Sequence, residues 1–126
     1  MNRTHEKVGY LPKGKSDLTP MTAANGVESA LKILEGRWKL VILFHLFDGK
    51  LLRFSELERA IPLVSQKMLT QQLRQMERDG VVRRIVHPQV PPKVEYCLTD
   101  WGQALCPVLD ALLKWSASRE ESLIEE

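Results

Sequence analysis

The sequence predicts a mainly α-helical domain of the α+β class, and three observations predict it. Residues 65–79 form an amphipathic helical pattern: at 100° per residue, Leu69, Leu73 and Met76 fall within about 60° of one another. Gly80 provides a stop for that helix. Residues 81–87 and 93–98 then form two β-rich runs on either side of a proline-containing turn. The chain therefore contains a helix followed directly by a β-hairpin.

Composition and charge limit the class of protein. The chain has 126 residues, is 44% hydrophobic and carries a net charge of +2, which predicts one domain with one core. Residues 65–93 contain six Lys and Arg residues against two acidic ones, whereas residues 94–126 contain two against seven. Local positive charge is typical of a face that binds a polyanion, although a solvated helix surface gives the same pattern.

The cysteine, histidine and apolar patterns indicate a cytoplasmic protein. Two cysteines nine residues apart form no disulfide framework, and the three histidines are scattered, so we expect neither a metal site nor a cofactor. No apolar run reaches the about 18–20 residues that a membrane span needs. The sequence starts without a signal-peptide pattern, so we expect no contact with a membrane.

The first half of the chain predicts an arm and two helices. Residues 1–20 mix glycine, proline and charge, which indicates a mobile N-terminal arm, with contact to DNA as a second interpretation. Residues 21–119 are expected to form the domain. Asn25 is predicted to cap the first helix with Glu28 in a capping box, and Val27 and Leu31 belong to its apolar stripe. Residues 38–47 are apolar nearly all round and predict a buried central helix.

The middle of the chain predicts a helix-turn-helix. Residues 51–54 predict a short strand that pairs with the hairpin and completes a three-stranded sheet. Ser55 and Glu58 predict the capped start of a third helix, which turns Leu57, Ala60 and Ile61 inward. Pro62 ends that helix, and Ser65 caps the next one after a tight connection. Two helices joined in this way, followed by a hairpin, constitute a winged helix-turn-helix.

The end of the chain predicts a long helix capped by Thr99 or Asp100, with a kink at Pro107. Its apolar stripe exceeds what a winged-helix core requires, which favours a homodimer over a helix that only covers its own core. The stripe consists of Trp101, Leu105, Val108, Leu112 and Trp115. Residues 120–126 are predicted to be an acidic, frayed tail.

These residues resemble the HxlR-type winged-helix transcriptional regulators of bacteria and archaea. The resemblance covers roughly residues 25–116, and its motifs are Gly36-Arg37-Trp38, Arg53-Phe54-Ser55-Glu56-Leu57, Ser65 with Lys67, Leu69-Thr70, Leu73, Glu77, Gly80, Arg84, the wing residues 90–96, Leu98-Thr99 and Gly102. The resemblance implies a cytoplasmic homodimer, paired through its first and last helices, that binds operator DNA. Val27 and Leu31 would then join the last-helix stripe in the dimer interface.

One position departs from the family pattern. Several members resemble thiol sensors because a cysteine lies just ahead of the first helix, and Asn25 takes that place here. We therefore expect no cysteine switch at this position, while the reactivity of Cys97 and Cys106 stays open. The sequence predicts no particular small-molecule effector.

The predicted function divides the polar residues into two groups. Base edges in the major groove would be contacted by Gln66, Lys67, Thr70, Gln71 and Arg74, because Arg can pair with guanine and Gln with adenine. Backbone phosphates would be held by Ser65, Arg53, Arg83, Arg84, His87 and Lys93. An intramolecular pair with a carboxylate is an equally good interpretation of Arg84.

Two other classes of function compete with a DNA-binding regulator. A winged helix that serves only as a protein-interaction module would use its basic face for an acidic partner. An enzyme has little support, because the sequence contains no nucleophile–base pair, phosphate loop or ligand cluster and so offers no catalytic residue.

Overall fold

The computed structural model describes residues 18–125 of the chain. The predicted arm over residues 1–20 therefore lies almost entirely outside the described residues. The chain divides after Glu35 into two compact units. The described part of the first unit contains one helix, α1, which spans Pro20–Leu34.

Helix α1 starts at Thr19 and not at Asn25, so the predicted cap is wrong. The Thr19 hydroxyl accepts a hydrogen bond from the Thr22 backbone N–H at 3.2 Å, and the Thr19 N–H donates to the Thr22 hydroxyl at 2.8 Å. Pro20 at the first helical position loses no hydrogen bond, because the first N–H groups of a helix have no intrahelical partner. These signals start the helix earlier, and Asn25 lies inside it.

The second unit is a winged helix, as predicted. Its elements in chain order are α2 (Lys39–Leu46), β1 (Leu52–Arg53), α3 (Phe54–Ala60), α4 (Gln66–Arg78), β2 (Val82–His87), β3 (Lys93–Leu98), α5 (Asp100–Gln103) and α6 (Leu105–Glu125). The strands form an antiparallel sheet in the order β1-β3-β2, which confirms the predicted three-stranded sheet. None of the described helices combines the length and the apolar character that crossing a membrane requires.

Helix α2 supplies the centre of the core but is not buried all round. Ile42, Leu43 and Leu46 are fully buried, as predicted. Leu40 and Phe44, however, expose 41% and 47% of their surface. Because the sequence of α2 is apolar on every side, it could not show which side of the helix would be buried in the core of the second unit.

Helix α3 begins two residues earlier than predicted. The Arg53 backbone N–H donates to Glu56 Oε1 at 2.7 Å, so Glu56, and not Glu58, closes the first turn. Because Ser55 is already inside the helix, it cannot be the cap. Leu57 and Ile61 are buried as predicted, whereas Ala60 is exposed.

The last helix, which was predicted as one long helix with a kink at Pro107, is divided into two helices. Helix α5 ends at Gln103, Ala104 forms a turn, and α6 starts at Leu105. Pro107 has no N–H to donate to the Gln103 carbonyl, which explains a break one turn upstream of the proline. Residues 120–125, predicted as part of a frayed tail, continue α6 as far as Glu125.

A close contact joins α5 to the root of the hairpin. Thr99 donates its N–H to the Val81 carbonyl at 3.0 Å and its hydroxyl to the Gly80 carbonyl at 2.6 Å. The same hydroxyl accepts from the Gly102 N–H at 3.0 Å. A Cβ atom at Gly102 would overlap the Val81 carbonyl oxygen. This position therefore requires glycine for space.

We expect Gly102→Ala to lower the free energy of unfolding by about 1–3 kcal/mol, because backbone atoms must shift to admit the methyl group. Chemical denaturation measures this change. The matched control is Gly26→Ala inside α1, where an added Cβ meets no atom within 4 Å. Alanine there should stabilise its helix by about 0.5–1 kcal/mol. Equal effects of the two substitutions would refute the close-contact argument.

Candidate nucleic-acid interface

Helix α4 has one buried face and one polar face. Leu69, Leu73 and Met76 are at most 2% exposed, which confirms the predicted core stripe. Lys67, Gln71, Arg74 and Arg78 are exposed on the other side, also as predicted. The core therefore fixes which side chains α4 presents to solvent.

The polar face of α4 forms a shallow groove of about 610 Å³. We call it the recognition surface, and it is lined by Phe54, Gln66, Lys67, Thr70, Gln71 and Arg74. It unites all five residues predicted to contact base edges and adds Phe54, the first residue of α3. Phe54 escaped sequence analysis because it was placed at the end of the strand predicted over residues 51–54, whereas it begins α3.

The start of α4 is well defined. The Ser65 hydroxyl accepts from the Met68 N–H at 3.0 Å, which confirms Ser65 as the N-cap. The Thr70 hydroxyl donates to the Gln66 carbonyl at 2.9 Å, so its oxygen is left to accept from a ligand. The positive pole of the α4 dipole lies beside the recognition surface, where it favours an anion.

The predicted phosphate contacts of the wing lie on two faces of the sheet. Register pairs Arg84 with Tyr96 and Val82 with Leu98, and these four positions share the face on which Val82 is buried. By the same alternation, the opposite face carries Arg83, His87, Lys93 and, through its pairing with Glu95, Arg53.

Glu95 contacts two of these side chains. Its Oε1 atom lies 2.8 Å from His87 Nε2, and its Oε2 atom lies 3.8 Å from Lys93 Nζ. The Glu95 side chain is 15% exposed. Sequence analysis missed its role, although its spacing of two from Lys93 placed both on one strand face. Glu95 thus orients His87 and Lys93 and offsets part of the charge of Lys93.

Arg84 differs from His87 and Lys93 in this respect. Among the described side chains, no carboxylate oxygen lies within 4.0 Å of its guanidinium, so the intramolecular ion pair considered for Arg84 is not formed there. Arg84 instead lines a second cleft of about 400 Å³ between α4 and the sheet. We call this the wing cleft, and its lining residues are Phe54, Thr70, Arg74, Glu77, Arg84 and Tyr96.

The apolar residues predicted for dimerisation are mostly uncovered. Leu105 is half-buried, whereas the exposed members of the last-helix stripe are Trp101, Val108, Leu112 and Trp115. Trp115 exposes 74% of its surface. On α1, considered by itself, Val27 and Leu31 are exposed as well. Leu109, which the predicted stripe omitted, is buried.

The sequence is similar to a family of regulators over most of its length. The family model described as HxlR-like helix-turn-helix matches residues 33–123. This range runs from the end of α1 through nearly all of α6. The chain belongs to the HxlR-like helix-turn-helix family. It is therefore a transcriptional regulator with a helix-turn-helix domain, as the resemblance implied.

Individual members of the HxlR-like family agree with this assignment. HTH-type transcriptional regulator YtcD of Bacillus subtilis is 55% identical over 92 residues, which cover 73% of this chain and 72% of YtcD. A regulator of Methanothermobacter thermautotrophicus is 52% identical over 107 residues, 85% of this chain and 81% of that one. The solved structure of the redox regulator HypR in its reduced form matches with a TM-score of 0.69 at 42% identity, covering 80% of this chain and 99% of HypR.

We expect Ser65→Ala to lower the free energy of unfolding by about 1 kcal/mol, because the Met68 N–H loses its capping acceptor. Ser55→Ala is the matched control, since Ser55 is exposed inside the first turn of α3 and does not cap it. Its effect should stay within about 0.5 kcal/mol. Thermal or chemical denaturation compares the two, and a larger loss for Ser55→Ala would contradict the observed helix start.

Proposed function

We propose that two copies of this chain form a homodimer that binds a dyad-symmetric operator in duplex DNA and thereby regulates transcription. The observation that carries the proposal is the recognition surface, where Gln66, Lys67, Gln71 and Arg74 present donors beside a capped helix start. Since the opposite face of α4 is buried, these side chains are directed outward. A convex helix with Arg and Gln on its outer face is suited to the major groove.

We assign base contacts to the recognition surface and phosphate contacts to Ser65, Arg53 and the wing. Recognition-surface residues contact base edges, and Gln71 is suited to pair with adenine through its amide. Lys93 and His87, both held by Glu95, contact backbone phosphates together with Ser65, Arg53, Arg83 and Arg84. Contacts to phosphates set the register on the duplex without reading its sequence.

The dimer part of the proposal is supported by exposed apolar surface. Trp101, Val108, Leu112 and Trp115 would lose contact with water on association, which favours pairing. Val27 and Leu31 of α1 contribute to the same proposed interface, as does the half-buried Leu105. Two recognition helices related by a two-fold axis would meet half-sites about 34 Å, or about 10 bp, apart, or a multiple of this spacing.

The proposal includes a cytoplasmic location, because a regulator must share the compartment of the chromosome. It includes no thiol switch, since Asn25, the residue that the resemblance matched to the family cysteine, lies inside α1 and has no thiol, and the free Cys97 and Cys106 are half-buried. The redox role in the printed name of HypR is a property of that protein. A reversible loss of DNA binding on treatment with diamide would overturn this part.

We expect Gln71→Ala to weaken binding to the preferred operator by about 1–3 kcal/mol and to relax discrimination at one base pair. Lys93→Ala should instead weaken all duplexes alike and reduce the slope of log affinity against log salt by about one. Fluorescence anisotropy with an operator selected from random duplexes, over a range of salt concentrations, measures both effects.

Each outcome of this pair of variants is informative. Altered sequence preference in Lys93→Ala at an unchanged salt slope would show that the wing reads bases. Binding without preference for any dyad-symmetric duplex would refute operator recognition and favour a winged helix that binds a protein partner.

We expect Leu112→Glu to convert the dimer to a monomer, because association would bury an uncompensated charge. Sedimentation velocity reports the mass, and operator affinity should fall with it. Lys114→Glu is the control: Lys114 lies about 200° around α6 from Leu112, where it pairs with Asp110 at 3.2 Å. A dimer that survives Leu112→Glu would place the interface elsewhere.

A further inference from the structure

We propose that the wing cleft binds a small, flat organic carboxylate, and that this ligand and DNA compete for the same arginine. The competition rests on the proposed DNA-binding function, whereas binding of the ligand does not. The experiment below therefore tests the two separately.

The wing cleft is lined by residues of helix α4 on one side and of the β-sheet on the other. Thr70, Arg74 and Glu77 recur at intervals of four and three residues, so they share one flank of α4. Opposite them, Arg84 of β2 and Tyr96 of β3 are register partners. This pair continues the sheet face whose buried end is Val82, and the cleft opens where that face leaves the core.

The charge of the cleft favours an anion with more than one acceptor oxygen. Arg74 and Arg84 contribute two positive charges to the lining of the cleft, and Glu77 contributes one negative charge. Within the described part of the chain, neither guanidinium has an ion-pair partner within 4.0 Å, so their donors are uncommitted. Guanidinium groups bind carboxylates through paired, charge-assisted hydrogen bonds.

The aromatic walls indicate that the anion carries a flat apolar body. Phe54 and Tyr96 are both half-buried and line the cleft together with the cations. The cleft volume of about 400 Å³ falls in the range of about 300–1,000 Å³ that small-molecule sites occupy. A bare phosphate needs neither the rings nor this volume. An aromatic carboxylate uses both, with its ring between the walls and its oxygens on the arginines.

Shared residues couple the cleft to the recognition surface. Phe54, Thr70 and Arg74 line both. A carboxylate on Arg74 would occupy the donors that the proposed function assigns to DNA, and its negative charge would lie beside α4. Ligand and duplex therefore exclude each other without any change in fold.

The first experiment titrates the full-length protein with benzoate and follows backbone ¹H–¹⁵N chemical shifts. We expect saturable shifts centred on Thr70, Arg84 and Tyr96. Arg84→Gln should weaken benzoate binding by about tenfold, because one charged hydrogen-bond donor is lost. Glu77→Gln should strengthen it about threefold by removing a like charge. Benzamide, which has the same shape without the charge, should not bind.

The control variant is Arg78→Gln, which removes the same charge as Arg84→Gln but at a position on α4 that does not line the cleft. Its affinity for benzoate should equal that of the wild type. Three results would overturn the proposal: absence of saturable shifts, equal weakening by Arg78→Gln and Arg84→Gln, or inorganic phosphate binding as tightly as benzoate. The last result would identify a bare phosphate site, of the kind that a DNA backbone occupies.

The second experiment measures duplex affinity while sodium benzoate replaces sodium chloride at constant ionic strength. We expect benzoate at ten times its dissociation constant to raise the apparent dissociation constant for DNA about tenfold, as direct competition requires. Benzamide should have no effect. Unchanged DNA affinity with the ligand bound would refute the competition. A protein that binds no duplex would refute the proposed function and leave the shift titration to decide the ligand site.

Discussion

Burial of Leu69, Leu73 and Met76 fixes how α4 is rotated about its own axis. Removing such side chains from water stabilises the fold by about 1.5–3 kcal/mol each, far more than any single contact of the polar face supplies. Rotating α4 would expose this stripe and bury Lys67 or Gln71 instead. The recognition surface is therefore a consequence of core packing, and its residues are free to serve binding.

The wing depends on α4 through its root. The Val81 N–H donates to the Met76 carbonyl at 2.9 Å, and the Val81 carbonyl accepts from Thr99. Both ends of the hairpin are thus held next to the end of α4, where Gly80 reverses the chain with a φ of 80°. Arg84, two residues beyond the buried Val82, lies on the same face of the sheet as Val82 and lines the wing cleft with residues of α4.

Carboxylates offset part of the positive charge on one face of the wing and in the wing cleft. Glu95 holds His87 and Lys93 on one face of the wing, while Glu77 lies among the arginines of the cleft. A wing with cations on both faces can contact a phosphate backbone with one and take part in a ligand site with the other. The exposed stripe of α6, which includes Leu112 and Trp115, sets a separate requirement for a partner copy.

The sequence by itself determined the class of fold, the polar face of α4 and the three-stranded sheet, because period and turn residues are local signals that nearby residues set. It also determined Ser65 as a cap. Local signals failed where two competed: Thr19-Pro20 outweighed Asn25, and Glu56 outweighed Glu58. Only the tertiary structure decided that Phe54, Glu77 and Tyr96 line one cleft with Arg84. It also decided that Leu40 of α2 is exposed. Both facts depend on which distant segments pack together, and the local periodicity of a sequence does not encode such packing.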